Sequence, residues 1–85
     1  MKLFNFEIYL NEPITHEGGW EIAFINVYAE TLKEAREKLK NVPDFDVVIL
    51  FNYELEFKQW DELDIEAYAK GQNYLFESIG FAKFR

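Results

Sequence analysis

Several features that would point to a compartment or a reaction are missing from this sequence. It contains no cysteine, which excludes disulfide bridges, thiolate zinc ligands and cysteine nucleophiles. No apolar run approaches the roughly 18 residues that span a bilayer, and the N-terminal residues follow a strand pattern rather than that of a signal peptide. These absences predict a cytoplasmic protein that does not associate with membranes.

Recognisable catalytic and phosphate-binding motifs are also missing. His16 is the only histidine and lacks a partner nucleophile, while Ser78 is the only serine and has no base nearby in sequence. The pair Gly18-Gly19 is a turn signal, because no phosphate-loop spacing surrounds it. The carboxylates of residues 61–66 lack the spacing of a calcium loop. We therefore expect no catalytic residue, no cofactor and no metal site, and an enzyme ranks third among the functions considered.

Negative charge is concentrated in one part of the chain. The formal net charge is −7. Residues 41–66 contain eight acidic residues and one lysine and so carry this whole charge, because acidic and basic residues balance elsewhere. Phosphate contacts require lysine and arginine, so direct binding to DNA, RNA or an anionic membrane is not expected.

Aromatic residues are abundant and compensate for the short chain. Nine Phe, five Tyr and two Trp give an aromatic fraction of 19% in 85 residues. Each can bury roughly 150–250 Å², so a compact core is feasible without disulfides. We expect residues 1–85 to form a single domain.

A strand followed directly by a helix forms the centre of the predicted fold. Residues 20–29 are apolar on both parities, which is typical of a strand covered on both faces. Thr31 and Glu34 have the spacing of a helix capping box. The next apolar positions follow a helical period: Leu32, Ala35 and Leu39. Phe24, Ile25, Leu39 and Ile49 are predicted to be buried where this helix meets the sheet.

Two further strands are indicated on either side of this unit. Residues 2–10 alternate as a half-buried strand and are expected to pair antiparallel with 20–29. Residues 47–57 are apolar at every odd position, while the even positions become polar after Leu50. This pattern places Glu54 and Glu56 together on a solvent-exposed strand face.

The C-terminal third allows two interpretations. The preferred one is a second helix over part of residues 61–79, followed by a short strand. The alternative ends the helix at Lys70 and makes residues 74–84 a strand, because aromatic residues favour strands. Either way the prediction is an α+β domain of order β-β-α-β-α with a final strand. Helices would pack on a sheet of three or four strands.

The acidic stretch supplies the first functional hypothesis, a non-enzymatic module that binds a basic protein surface. The candidate partner-binding residues are all acidic: Glu54, Glu56, Asp61, Glu62, Asp64 and Glu66. A cationic nucleic-acid-binding groove is one such partner, and small acidic proteins that act as nucleic-acid mimics occur among virus-encoded inhibitors. That is an analogy of size and charge alone. A purely solubilising role for the acidic residues is the simpler interpretation.

The second hypothesis is a structural domain that self-associates. One short helix can cover only one face of the sheet, so residues 61–85 or a partner must cover the other. If a partner covers it, the aromatic face of residues 20–29 would form a homodimer, with Tyr28 in the contact.

Overall fold

The computed structural model describes residues 1–14, 19–41 and 48–83. Four strands form one antiparallel sheet: β1 (Lys2–Ile14), β2 (Gly19–Ala29), β3 (Val48–Glu56) and β4 (Tyr74–Lys83). Their spatial order is β3-β1-β2-β4, so β3 and β4 are the edge strands. Two helices and a short 3₁₀ turn connect them: α1 (Leu32–Leu39), α2 (Glu62–Ala69) and Phe57–Gln59. The predicted α+β fold is confirmed.

Helix α1 packs on one face of the sheet, which we call the α1 face. Thr31 caps the helix as predicted, because its hydroxyl accepts a hydrogen bond of 3.2 Å from the backbone N–H of Glu34. Ala35 and Leu39 are buried against an apolar sheet surface and confirm the predicted stripe. That surface comprises Phe4, Phe6, Ile8, Ala23, Ile25, Val27 and Ala29.

The predicted position of Phe24 is wrong. Its neighbour Ile25 lies on the α1 face and is fully buried. Successive residues of a strand point to opposite faces, so Phe24 lies on the other face, where it is half-buried. The side chain of Ile49 lies outside the described part of the chain. Helix α1 therefore packs on the smaller residues of β2.

The opposite face, which we call the α2 face, is partly covered by α2 and the aromatic residue that precedes it. Leu3, Tyr28, Trp60 and Ala67 form a second buried cluster. The rings of Tyr28 and Trp60 stack with centroids 4.9 Å apart. Because Tyr28 is covered within the chain, it is not available for the dimer contact that the sequence suggested.

The second helix is shorter than preferred and the final strand is longer. Gly71 has a φ of +86°, a left-handed conformation that glycine adopts without steric cost. Its N–H donates to the carbonyl of Tyr68 at 2.9 Å, and the N–H of Gln72 donates to that of Ala67 at 3.1 Å. These two bonds form a Schellman motif that ends the helix. The alternative interpretation, with the helix ending near Lys70 and a strand from residue 74, is confirmed.

Candidate functional site

Two of the six candidate acidic residues lie at the end of edge strand β3. Glu54 lies opposite Phe4 and Glu56 opposite Lys2 in the register with β1, so both project on the α1 face as the alternation predicted. The Lys2 ammonium lies 3.2 Å from the Glu54 carboxylate and 3.8 Å from that of Glu56. Exposed ion pairs of this kind contribute little to stability, so both carboxylates stay accessible to a partner.

Three more candidate residues belong to the first turns of α2, on the other side of the sheet. Asp61 caps the helix by accepting a 2.9 Å hydrogen bond from the backbone N–H of Asp64. Glu62 is exposed. Glu66 is exposed too, and a 2.9 Å contact with Lys70 lowers the pKa of its carboxyl group. The five exposed acidic residues therefore form two groups, one at β3 and one on α2.

Asp64 is the exception, because its side chain is buried beneath α2 and only 3% of the residue is exposed. It does not contribute to an exposed acidic surface. The Tyr28 hydroxyl donates to its Oδ1 at 2.7 Å, and the Asn26 amide donates to Oδ1 at 3.1 Å and to Oδ2 at 3.3 Å. Burial raises the pKa of the Asp64 carboxyl group, although these hydrogen bonds oppose the shift.

Asp64 is one end of a hydrogen-bonded network that crosses the α2 face. The Asn5 amide donates to Asn26 Oδ1 at 2.7 Å, and the Asn52 amide donates to Asn5 Oδ1 at 2.9 Å. Asn5 also donates to Glu77 Oε2 at 3.3 Å. The Tyr53 hydroxyl donates to the same Glu77 oxygen at 3.4 Å. All four strands and α2 therefore contribute to what we call the amide–carboxylate network: Asn5, Asn26, Tyr28, Asn52, Tyr53, Asp64 and Glu77.

Two irregularities in the sheet bring the outer members into this network. Asn5 lies opposite Tyr53 while Phe6 lies opposite Phe51, so Asn52 is an extra residue in β3. In the same way, Glu77 is an extra residue where β4 pairs with β2. Extra residues of this kind, β-bulges, redirect side chains and are frequent beside functional sites.

Sequence reasoning missed this network, although two signals were present. Asn5 and Asn26 each lie between two apolar residues in a mostly apolar strand, and a buried amide needs hydrogen-bond partners. Their alignment was not predictable, because it depends on the register that places Asn5 directly opposite Asn26. The bulges were equally hidden. The odd positions of β3 read as one continuous face, whereas Phe51 lies on the α1 face and Tyr53 on the α2 face.

Exposed apolar side chains concentrate in the same stretch as the negative charge. Among the side chains that the structure describes, those of residues 1–8, 22–41 and 50–77, every large hydrophobic one that is exposed belongs to residues 50–68. Leu63 has the highest exposed fraction, at 69%. The full set is Leu50, Phe51, Tyr53, Phe57, Leu63, Ile65 and Tyr68. We call the exposed acidic and apolar side chains of residues 50–68 the acidic–apolar surface.

The chain has no detected similarity to known proteins, and its described residues form neither a metal site nor a membrane-spanning helix. No family model, no curated protein and no solved structure matches the chain. Within residues 1–14, 19–41 and 48–83, no group of three or more potential metal-ligating side chains is close enough to hold an ion. No helix in the same ranges has the length and apolar character needed to cross a membrane.

Proposed function

We propose that this chain is a non-enzymatic binding protein that engages a basic protein surface through its acidic–apolar surface. The observation that carries the proposal is the coincidence of two features. The net charge is confined to residues 41–66, and the exposed large apolar side chains, among those that the structure describes, belong to residues 50–68. A purely solubilising surface would gain nothing from exposed apolar groups near its charges in sequence, whereas a contact surface needs apolar groups that lose water on binding.

The two kinds of side chain have separate roles in such a contact. Apolar groups such as Leu63 and Ile65 form the part that loses water on binding. The carboxylate of Glu62 on the same helix, and those of Glu54 and Glu56 at the end of β3, attract a cationic partner before contact. Because exposed charges are screened over about 8 Å at physiological ionic strength, the association rate should fall as salt rises.

The class of partner follows from the sign of the charge. A basic groove that normally binds nucleic acid would be complementary to this surface, so inhibition of a nucleic-acid-binding protein is the activity we favour. The absence of cysteine favours the cytoplasm as its location. An enzymatic function ranks last, because the sequence contains no recognisable catalytic motif.

Edge strand β3 favours a second candidate, self-association. Leu50, Phe51 and Tyr53 are exposed on this strand, and its outer backbone edge is not paired within the described chain. Exposed apolar edges of this kind pair readily with another strand. A dimer formed through β3 would replace the dimer through β2 that the sequence suggested.

The experiment compares two triple variants that each remove three negative charges. One is Glu54→Gln/Glu56→Gln/Glu62→Gln in the acidic–apolar surface, and the other is Glu30→Gln/Glu34→Gln/Glu37→Gln at and around α1. Binding to a panel of immobilised basic nucleic-acid-binding domains is followed by surface plasmon resonance at low and physiological salt. We expect the first variant to associate at least about tenfold more slowly with the domain that binds, and the second to associate nearly as fast as wild type.

Two results would contradict the proposal. If both triple variants slow association equally, only the net charge matters and not its position. If no domain of the panel shows saturable binding, the proposal of a basic partner is wrong. Sedimentation that shows a dimer at micromolar concentration, lost in Phe51→Glu, would favour self-association through β3 instead.

A further inference from the structure

The amide–carboxylate network has a direction, which follows from the carboxylates at its ends. An ionised carboxylate can only accept hydrogen bonds, so the Asn26 amide nitrogen must face Asp64 and its carbonyl oxygen must face Asn5. The Asn5 nitrogen then donates to Asn26 and to Glu77, which leaves the Asn5 oxygen to accept from Asn52. Asn52 and Asn26 therefore donate toward the buried Asp64 end of the network, while Asn5 donates both to Asn26 and to the exposed Glu77 carboxylate.

This direction decides what the network presents at its exposed end. Asn52, Tyr53 and Glu77 are exposed, whereas Asn5 and Asn26 are buried. Asn52 directs an N–H inward to Asn5, and Tyr53 directs its only O–H to Glu77. The groups left to accept a hydrogen bond from a ligand are the Asn52 carbonyl oxygen, the lone pairs of the Tyr53 hydroxyl and the Glu77 carboxylate. The second N–H of the Asn52 amide is the one donor that these three residues leave unused.

The carboxylate at this end is held in a defined orientation. Glu77 is fixed by hydrogen bonds from Asn5 and Tyr53, which belong to two other strands. Among the lysine and arginine side chains that the structure describes, all of which belong to residues 1–8, 22–41 and 50–77, none lies within salt-bridge distance of it. Leu50 is exposed on the same face, where it lies opposite Glu7 in the register with β1. Its apolar surface can contact the aliphatic stem of a long side chain.

We propose that Asn52, Tyr53 and Glu77 form a receptor for the cationic group of a lysine or arginine side chain supplied by the basic partner. The proposal rests on the proposed function for the identity of the partner, but the site itself is separate from the acidic residues of the acidic–apolar surface. A guanidinium or ammonium group offers only donors, which complements the Glu77 carboxylate and the acceptor oxygens of Asn52 and Tyr53. The exposed Tyr53 ring provides an additional cation–π surface.

The two β-bulges are the structural cost of this arrangement. A regular β3 would not place Asn52 over Asn5, and a regular β4 would not bring Glu77 to the same amide. Each bulge interrupts the ladder at an edge strand. The network thus holds the Glu77 carboxylate in position before a ligand arrives, which reduces the ordering that binding requires.

The test uses small cations in place of the partner side chain. Ethylguanidinium and n-butylammonium are titrated into the full chain, and the side-chain amide signals of Asn52 and Asn5 are followed by NMR. Ethylurea, a neutral molecule of similar shape to ethylguanidinium, is the ligand control. We expect saturable shifts with the cations and none with ethylurea.

Matched variants separate this site from general charge attraction. Glu77→Gln keeps an acceptor for Asn5 and Tyr53 but removes the charge, and we expect it to bind the cations at least about tenfold more weakly. Glu37→Gln removes one charge from α1 and should bind as wild type does. Tyr53→Phe, at an exposed position, should weaken binding while the chain stays folded.

Several outcomes would overturn the inference. These are equal affinity of Glu77→Gln and wild type, linear shifts without saturation, or equal binding of ethylurea. Because neither Glu77 nor Asn52 is changed in the triple variants above, this site can fail while the acidic–apolar surface still binds, and the reverse also holds.

Discussion

The two faces of the sheet are covered by helices of equal length but different chemistry. Both α1 and α2 have eight residues. Helix α1 buries Ala35 and Leu39 on an apolar surface. Helix α2 buries Ala67 and the carboxylate of Asp64, while Leu63 and Ile65 are exposed. The usual division of a surface helix, with its apolar side inward, therefore holds for α1 and is partly reversed in α2.

This difference shows what each kind of contact can specify. Apolar burial stabilises a contact without fixing its orientation. The contact between α1 and the sheet is of this kind. Hydrogen bonds are directional, so the bonds from Asn26 and Tyr28 to Asp64 define where α2 lies. Holding a charge in that position costs desolvation free energy, and the same arrangement leaves Leu63 and Ile65 of α2 exposed.

The largest expected effect tests the apolar side of the comparison. Leu39→Ala on α1 should lower the free energy of unfolding by about 2–5 kcal/mol, because the side chain is buried in the core. Leu63→Ala on α2 is the matched change at an exposed position and should stay within about 0.5 kcal/mol of wild type. Urea denaturation measures both, and similar losses for the two variants would mean that α2 also relies on apolar burial.

A smaller effect tests the polar side. Tyr28→Phe removes the hydroxyl that donates to Asp64 at 2.7 Å and leaves the buried carboxylate with fewer donors. We expect a loss of about 1.5–3 kcal/mol in the free energy of unfolding. Tyr53→Phe removes an exposed hydroxyl and should have little effect on stability. An unchanged free energy of unfolding in Tyr28→Phe would show that the buried Asp64 carboxylate is not stabilised by this hydrogen bond.

Sequence patterns were sufficient for the α1 half of the molecule. The Thr31 cap, the Leu39 stripe and the paired strands all depend on local periodicity, which the sequence displays directly. The face of β2 that meets α1 was misjudged at Phe24, because an apolar residue at every position gives no sign of which parity the helix covers.

The α2 half depends on contacts that no local pattern records. The preferred helix over part of residues 61–79 could continue past Gly71, because a helical period does so in sequence, whereas the helix ends just before this glycine. Asp64 resembled its acidic neighbours, and only tertiary packing distinguishes it from Glu62 or Glu66. Polar positions within apolar strands, such as Asn5 and Asn26, were the one available indication of a buried site.

The pH dependence of stability provides the most direct test that a buried carboxylate positions α2. Burial raises the pKa of Asp64 above its unfolded value of 3.8. The folded protein therefore holds this proton more tightly than the unfolded chain, and stability is lost as pH rises through the folded-state pKa. Glu66 has the opposite behaviour, because Lys70 lowers its pKa and its contribution is lost as pH falls.

The measurement is the free energy of unfolding of wild type, Asp64→Asn and Glu66→Gln across the acidic to neutral range. Asparagine at position 64 can still accept from Tyr28 and Asn26 but does not titrate. The stability of Asp64→Asn relative to wild type should therefore rise as pH increases, while that of Glu66→Gln should fall. A difference for Asp64→Asn that stays constant with pH, or that falls as it does for Glu66→Gln, would contradict the account.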